Sequence, residues 1–204
     1  MSYLADTRYA TEALFTLINA DVSKLAKQQE KLSGLKAKSH ALERNYLSMD
    51  LSEDFSDVQL MNAGAQAHAA FQDTAALSKE IDVLQREIDD REFARRALCG
   101  AVLQIAKQGI HSSYSGYETA PRVRWFGKVH LAQVIWEARN QAMHYEGGPL
   151  DKPRKVFEEL NAAGLLEFNI NEPPCKNRAL EILVLLGWQQ YADYERDMTA
   201  LLVR

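Results

Sequence analysis

The sequence has few of the residues that interrupt helices. It contains ten glycines and five prolines in 204 residues, most of them after position 109. Because glycine and proline are the strongest breakers of regular structure, their scarcity leaves the first half free to form long helices. Cysteine is rare as well. The two thiols, Cys99 and Cys175, lie far apart in the chain, and we expect both to be reduced, as is usual in the cytoplasm.

Long apolar runs and an excess of positive charge are also missing. No run approaches the roughly 20 residues of a membrane span, and the N-terminus lacks the basic and apolar regions of a signal peptide. The sequence therefore predicts a cytoplasmic protein that makes no membrane contact. A formal net charge of -4 gives no global attraction to nucleic acid. Any contact with RNA must come from a local basic patch.

The first half of the chain has the periodicity of two long helices. Residues 3–48 predict the first helix and residues 58–107 the second, with an acidic turn at 48–54 between them. Two long helices joined by a short turn indicate an antiparallel hairpin, which we place at residues 1–110. The second helix carries an apolar stripe at spacings of three and four: Leu77, Ile81, Leu84 and Ile88.

The second half is more broken, and it predicts a loop followed by shorter helices. We predict a loop at 111–126, a helix from 127 or 128 to about Glu146, a short helix at 151–163, a strand or extended segment at 165–170, and a final helix from 176. The sequence Gly147-Gly148-Pro149 is a strong stop signal for the helix before it. The predicted fold is all-α, a single domain over 1–204. It is a four-helix up-down bundle with a long N-terminal hairpin and one short extra helix.

The third helix has two faces that are unsuited to solvent. At about 100° per residue, one side carries an ordinary core stripe: Leu131, Ile135, Ala138, Ala142 and Tyr145. The opposite side is not uniformly charged, because Trp136 and Met143 lie there with Asn140. Apolar side chains on a second face are usually buried against a partner. We therefore predict that Trp136 and Met143 form the interface of a homodimer.

Three residues near the end of this helix suit chemistry on a phosphodiester. His144 has an ordinary pKa of about 6.5, which suits it to accept and donate protons near neutrality. Arg139 is always charged and matches phosphate oxygens with parallel hydrogen bonds. Asn140 lies one turn before His144, where it can orient either group. The plainer interpretation is a capping histidine at a helix C-terminus and an arginine in a surface ion pair with Glu137 or Glu146.

The segment Arg139-Asn140-Gln141-Ala142-Met143-His144 resembles the Arg-polar-x3-His motif of the HEPN family. In that family the motif lies near the end of a late helix of an all-α bundle. The resemblance implies a metal-independent endoribonuclease, active as a homodimer in which two copies of the motif form one RNA site. It also implies possible membership of toxin–antitoxin or phage-defence systems, with a cognate antitoxin as partner. Some members carry a modifiable tyrosine two residues after the histidine, and Glu146 stands there in this chain.

A basic cluster flanks the predicted motif helix, and we consider it as a substrate-binding surface. Arg122, Arg124 and Lys128 precede the motif, and Lys152 follows it. With the interleaved aromatic pair at 125–126, such a cluster suits RNA phosphates and bases. Alternatively, the aromatic residues anchor the start of the helix in the core while the cations stay solvated.

Other site chemistries have no sequence signal. No histidine has metal-ligand spacing to another ligand, and no phosphate-binding glycine loop is present, so we expect neither metal nor cofactor. Two alternatives to the ribonuclease remain open. One is a non-catalytic HEPN-like module that binds a nucleotide or a protein, and the other is a helical adaptor that acts through the 3–107 hairpin.

Overall fold

The structure is a computed structural model that describes residues 2–49, 57–147, 151–165 and 176–202. The side chains of residues 43, 45–49 and 57–71 lie outside the described part. Within these ranges the chain is mostly helical, which confirms the predicted class. The elements are α1 Tyr3–Met49, α2 Asp57–Tyr114, β1 Trp125–Phe126, β2 Val129–His130, α3 Leu131–His144, a 3-10 turn Tyr145–Gly147, α4 Asp151–Ala162, α5 Ala179–Leu186 and α6 Tyr191–Leu202.

The chain divides into two compact units. The main unit combines Met1–Asp21 with Phe93–Arg204, and the arm comprises Val22–Glu92. The main unit has a core to which the first part of α1, the last part of α2, and α3 to α6 all contribute. Burying each large aliphatic side chain stabilises the unit by about 1.5–3 kcal/mol. The largest side chains in this core include Leu103, Ile110, Leu131, Ile135, Phe157, Leu160, Leu186, Tyr194 and Met198.

The arm pairs a segment of α1 with a segment of α2. Gln28 hydrogen bonds to Glu87, whereas Lys31, further along α1, pairs with Glu80 at 2.8 Å. The partner numbers fall as the α1 numbers rise, so the two segments run antiparallel within this unit. Exposed pairs of this kind add little stability, and the apolar seam carries the association. That seam comprises Leu25, Leu32, Leu84 and Ile88, with Leu35 and Ile81 packed against it.

Glycine 109 is a packing position inside α2 and does not end the helix. We expected helix 2 to end near residue 107, but α2 continues to Tyr114. A Cβ at Gly109 would lie 2.7 Å from a ring carbon of Tyr3, so only glycine lets α1 and α2 approach this closely within the main unit. The helix ends instead at Ser115, whose φ of 62° is left-handed.

The motif helix begins later than the sequence predicts. Residues 125–130 form an antiparallel hairpin in which Trp125 pairs with His130 and Phe126 with Val129. Gly127 occupies the two-residue turn with a φ of +60°, a conformation that suits glycine in tight hairpins. The helix then starts at Leu131, whose backbone N–H donates to the carbonyl oxygen of Arg124 at 2.8 Å.

The predicted C-terminal helix is two helices, because Gly187 interrupts it. Gly187 has a φ of +69°, and its N–H donates to the carbonyl oxygen of Val184 at 3.0 Å. The N–H of Trp188 reaches the carbonyl of Leu183 at 2.9 Å. These bonds satisfy the last carbonyl groups of α5, as in a Schellman-type cap, and redirect the chain into α6. Apolar periodicity continues across this break, and for that reason the sequence predicted a single helix.

Several sequence features lie outside the described residues. They are residues 50–54 of the predicted acidic turn, the Gly148 and Pro149 part of the helix stop, and the 166–175 stretch that includes Cys175. In the ranges that are described, no helix combines the length and the apolar character needed to cross a bilayer.

The left-handed cap predicts opposite effects for two glycine substitutions. Gly187→Ala is expected to lower the free energy of unfolding by about 1–2 kcal/mol, because a Cβ disfavours the left-handed backbone. Gly34 lies exposed in the interior of α1 with open space around it. Gly34→Ala is therefore the matched control, and it should raise the free energy by up to about 1 kcal/mol. Urea denaturation followed by circular dichroism measures both. An unchanged Gly187→Ala variant would contradict the strain argument.

Candidate functional site

The α3 helix is anchored by the face that the sequence assigned to the core. Leu131, Ile135, Ala138 and Ala142 are all buried, and Tyr145 follows half-buried in the 3-10 turn. Because this face is fixed in the core of the main unit, the opposite flank of the helix is held at a defined orientation. The predicted site residues lie on that flank.

The three candidate catalytic residues lie in the last two turns of α3. Arg139 and Asn140 are half-buried, and His144 is exposed one turn beyond Asn140. The Nε of Arg139 donates to Oε1 of Gln104 on α2, which fixes the guanidinium group. Among the described residues, none hydrogen bonds to the His144 side chain. The structure thus brings the trio to one end of a helix, but the three side chains do not bond to one another.

Asn140 bridges two charged side chains. Its Nδ2 donates to Oε2 of Glu137 at 3.0 Å, and its Oδ1 accepts from Nζ of Lys107 at 2.8 Å. An amide between a carboxylate and an ammonium group has only one favourable orientation, so its two ends are assigned by these partners. Glu137 is 1% exposed, and its second oxygen, Oε1, has no hydrogen-bond partner among the residues that the structure describes.

Burial disfavours the charged forms of both partners of Asn140, Glu137 and Lys107. Burial raises the pKa of Glu137, and the hydrogen bond from Asn140 and the charges of Lys152 and Lys107 only partly oppose this. Burial also lowers the pKa of Lys107, and the neighbouring positive charge of Arg139 lowers it further. The attraction between the two groups therefore offsets only part of the effect of burial on their pKa values.

The two residues that we predicted for a dimer interface have different environments. The ring of Trp136 is covered within its own chain: the Lys107 ammonium lies 4.5 Å from the ring centroid, and the Tyr117 ring lies edge-on at 5.9 Å. His111 also packs against it, at 6.1 Å. Met143, by contrast, is 56% exposed. The second face of α3 is thus partly explained by contacts within the main unit.

Three of the four predicted substrate-binding cations lie at the surface. Arg122 is exposed, with its guanidinium 5.9 Å from the ring centroid of Trp125. Lys128 forms a loose, exposed ion pair with Glu159 at 3.5 Å. Lys152 is exposed in the first turn of α4, and its positive charge acts to lower the pKa of Glu137.

Arg124, the fourth cation, is engaged in contacts that stabilise the fold. Its Nη1 donates to Oδ2 of Asp197 at 2.8 Å and to the carbonyl of Leu186 at 2.9 Å. The indole N–H of the buried Trp188 donates to the same carboxylate oxygen at 2.9 Å. Arg124 therefore ties the hairpin to the junction of α5 and α6, and its partners lie there and not beside the trio.

Sequence reasoning missed the contribution of α2 to the site. Gln104 and Lys107 are more than thirty positions from Arg139 and Asn140 and carry no motif of their own. The only feature of the sequence that could have indicated them is their spacing of three, which places two polar side chains on one face of α2. Within the described ranges, no three His, Cys, Asp or Glu side chains are grouped as metal ligands.

Comparison with models of protein families, with curated proteins and with solved structures found no match to this chain. The functional assignment therefore rests on the chemistry of the residues around the end of α3.

The contacts of two neighbouring arginines predict different effects on stability. Arg124→Ala leaves the buried Asp197 carboxylate with fewer donors, and we expect it to lower the free energy of unfolding by about 1–3 kcal/mol. Arg122→Ala, the matched control, should change it by less than about 0.5 kcal/mol, since Arg122 is exposed. Chemical denaturation of the two variants tests this. Equal effects would show that the Arg124 contacts do not stabilise the junction.

Proposed function

We propose that this protein is a metal-independent endoribonuclease of HEPN type, with Arg139, Asn140 and His144 at its centre. The observation that carries the proposal is the placement of an exposed imidazole one turn beyond a fixed amide, at the same helix end as a guanidinium. The same proposal includes a four-helix up-down bundle and an RNA substrate. It also includes a role as a toxin or defence effector with an antitoxin partner.

RNA carries its own nucleophile, so these side chains supply what the reaction needs. The 2′-hydroxyl oxygen attacks the adjacent phosphorus, a new P–O2′ bond forms and the P–O5′ bond breaks. The products are a 2′,3′-cyclic phosphate and a 5′-hydroxyl. His144 of one protomer performs one of the two proton transfers, from the 2′-hydroxyl or to the leaving oxygen, and His144 of the second protomer performs the other. Arg139 binds the phosphate oxygens as negative charge builds up on them.

The surroundings of His144 and Arg139 support the roles that we assign to them. Its side chain is exposed and has no competing partner among the described residues, so a substrate can reach it. Arg139 is held at Nε by Gln104, which leaves its terminal nitrogens to face an anion. A fixed guanidinium loses less entropy on binding phosphate than a mobile one.

The sharpest prediction concerns loss of cleavage without loss of fold. His144→Ala and Arg139→Ala are each expected to reduce RNA cleavage by about 10²–10⁴-fold, the usual loss when acid–base help or a transition-state donor is removed. The melting temperature of His144→Ala should stay near that of the wild type, because the side chain is exposed. Cleavage of a labelled RNA, with and without a chelator, measures the effect, and chromatography identifies the cyclic phosphate.

His40→Ala is the matched control, since His40 is an exposed histidine in the arm. It should leave cleavage unchanged. Wild-type cleavage by His144→Ala would place the active site elsewhere, and cleavage that stops in the chelator would contradict the metal-independent reaction. In cells, growth arrest by the wild type but not by His144→Ala would support the toxin assignment. Absence of any cleavage would favour the non-catalytic module or the adaptor.

The proposal includes a homodimer in which two copies of the motif line one groove. Met143, largely exposed beside His144, is the residue we place at that interface, with Trp136 two turns before it on the same side of α3. Met143→Glu should shift sedimentation at micromolar concentration from dimer to monomer, because it brings a charge into an apolar contact. Val184→Glu, at an exposed apolar position on α5, should not. A wild type that sediments as a monomer would contradict the composite site.

A further inference from the structure

Two polar residues of α2 contact the candidate catalytic residues of α3. Gln104 accepts from Arg139, and Lys107 donates to Asn140. Gln104 and Lys107 are three apart and so lie on one face of α2. The motif on α3 is therefore supported by a second helix that contributes a cation of its own.

The positive charge of Lys107 is not neutralised by direct contact with a carboxylate. In the described part of the chain, no carboxylate lies within ion-pair distance of its ammonium group. Nζ instead bonds to Oδ1 of Asn140 and lies over the Trp136 ring at 4.5 Å. An ammonium group has three protons, so these two contacts leave donor capacity for a ligand.

Lys107 and Arg139 are like charges gathered in a partly buried place. Burial lowers the pKa of Lys107, and the positive charge of Arg139 lowers it further. The nearby Glu137 raises the pKa of Lys107, but by less than burial and Arg139 lower it. An anion bound between the two cations would remove this cost, and a compact ammonium beside a planar guanidinium suits the oxygens of a phosphate.

We propose that Lys107 contacts the RNA phosphate together with Arg139. Asn140 is then a positioning residue: its Oδ1 holds the ammonium group, and its Nδ2 is held by the buried Glu137. Lys107 stays protonated throughout and takes no part in proton transfer. This assignment rests on the proposed function, since it names a substrate contact of the same site.

The protonation of Lys107 gives the proposal a pH dependence. The charged groups of α3 that act on Lys107 are Glu137 and Arg139. Two further titratable groups, His111 on α2 and Tyr117 in the following loop, pack against the same Trp136 ring as Lys107. A site that needs the ammonium form is complete at low pH and is lost as pH rises through the lowered pKa of Lys107. Lys107→Arg keeps its charge to higher pH, so the alkaline limb of kcat/KM should move upward.

The deciding experiment measures binding of an uncleavable 2′-deoxy oligonucleotide at several salt concentrations. Lys107→Gln retains a donor for Asn140 but lacks the charge. We expect it to bind at least about tenfold more weakly at low salt, with the slope of log affinity against log salt smaller by about 0.7, the share of one phosphate contact. Lys107→Arg should keep most of the affinity and the slope. Lys36→Met, an exposed lysine of the arm, is the control and should change neither.

The outcomes separate this inference from the proposed function. If Lys107→Gln binds with wild-type affinity and slope, or if Lys107→Arg leaves the alkaline limb in place, Lys107 has only a structural role and the inference is wrong. His144→Ala then still decides the ribonuclease independently, because its readout is cleavage. If Lys107→Gln fails to fold, Lys107→Arg alone decides by the same slope and pH profile.

Discussion

The hydrogen bond between Lys107 and Asn140 is the interaction on which the candidate site depends. It joins the last turns of α2 to the last turns of α3, and the Gln104–Arg139 contact runs beside it. Both contacts require that α3 present one flank to α2 while its other face is packed in the core. The apolar core of the main unit therefore fixes the geometry of these polar contacts.

A buried carboxylate supports this arrangement at a cost. Glu137 is almost fully buried and satisfies only one of its oxygens with a protein partner. Burying such a group is unfavourable unless neighbouring charges compensate. Here Lys107 and Lys152 compensate in part, and Asn140 links the carboxylate to the first of them.

The predictions from sequence succeeded where the signal was local and regular. The helical class, the long first helix and the apolar seam of the arm follow from periodicity, and the core stripe of α3 follows from the helical angle. The errors fall where one residue acts through a distant partner. Helix 2 was predicted to end near residue 107, because nothing local shows that Gly109 lies inside the helix, where it admits the Tyr3 ring.

The sequence by itself determined the helical composition, the position of Arg139, Asn140 and His144 on one helix, and the scarcity of breaks before residue 109. These properties follow from spacings of a few residues along one helix, which the chain carries without reference to its fold. Only the tertiary structure decided that Arg124 is bound to Asp197, that Trp136 packs against Lys107 and Tyr117 of its own chain, and that Lys107 contacts Asn140. Each depends on a contact between residues far apart in sequence, and such contacts exist only after the core has brought the helices together.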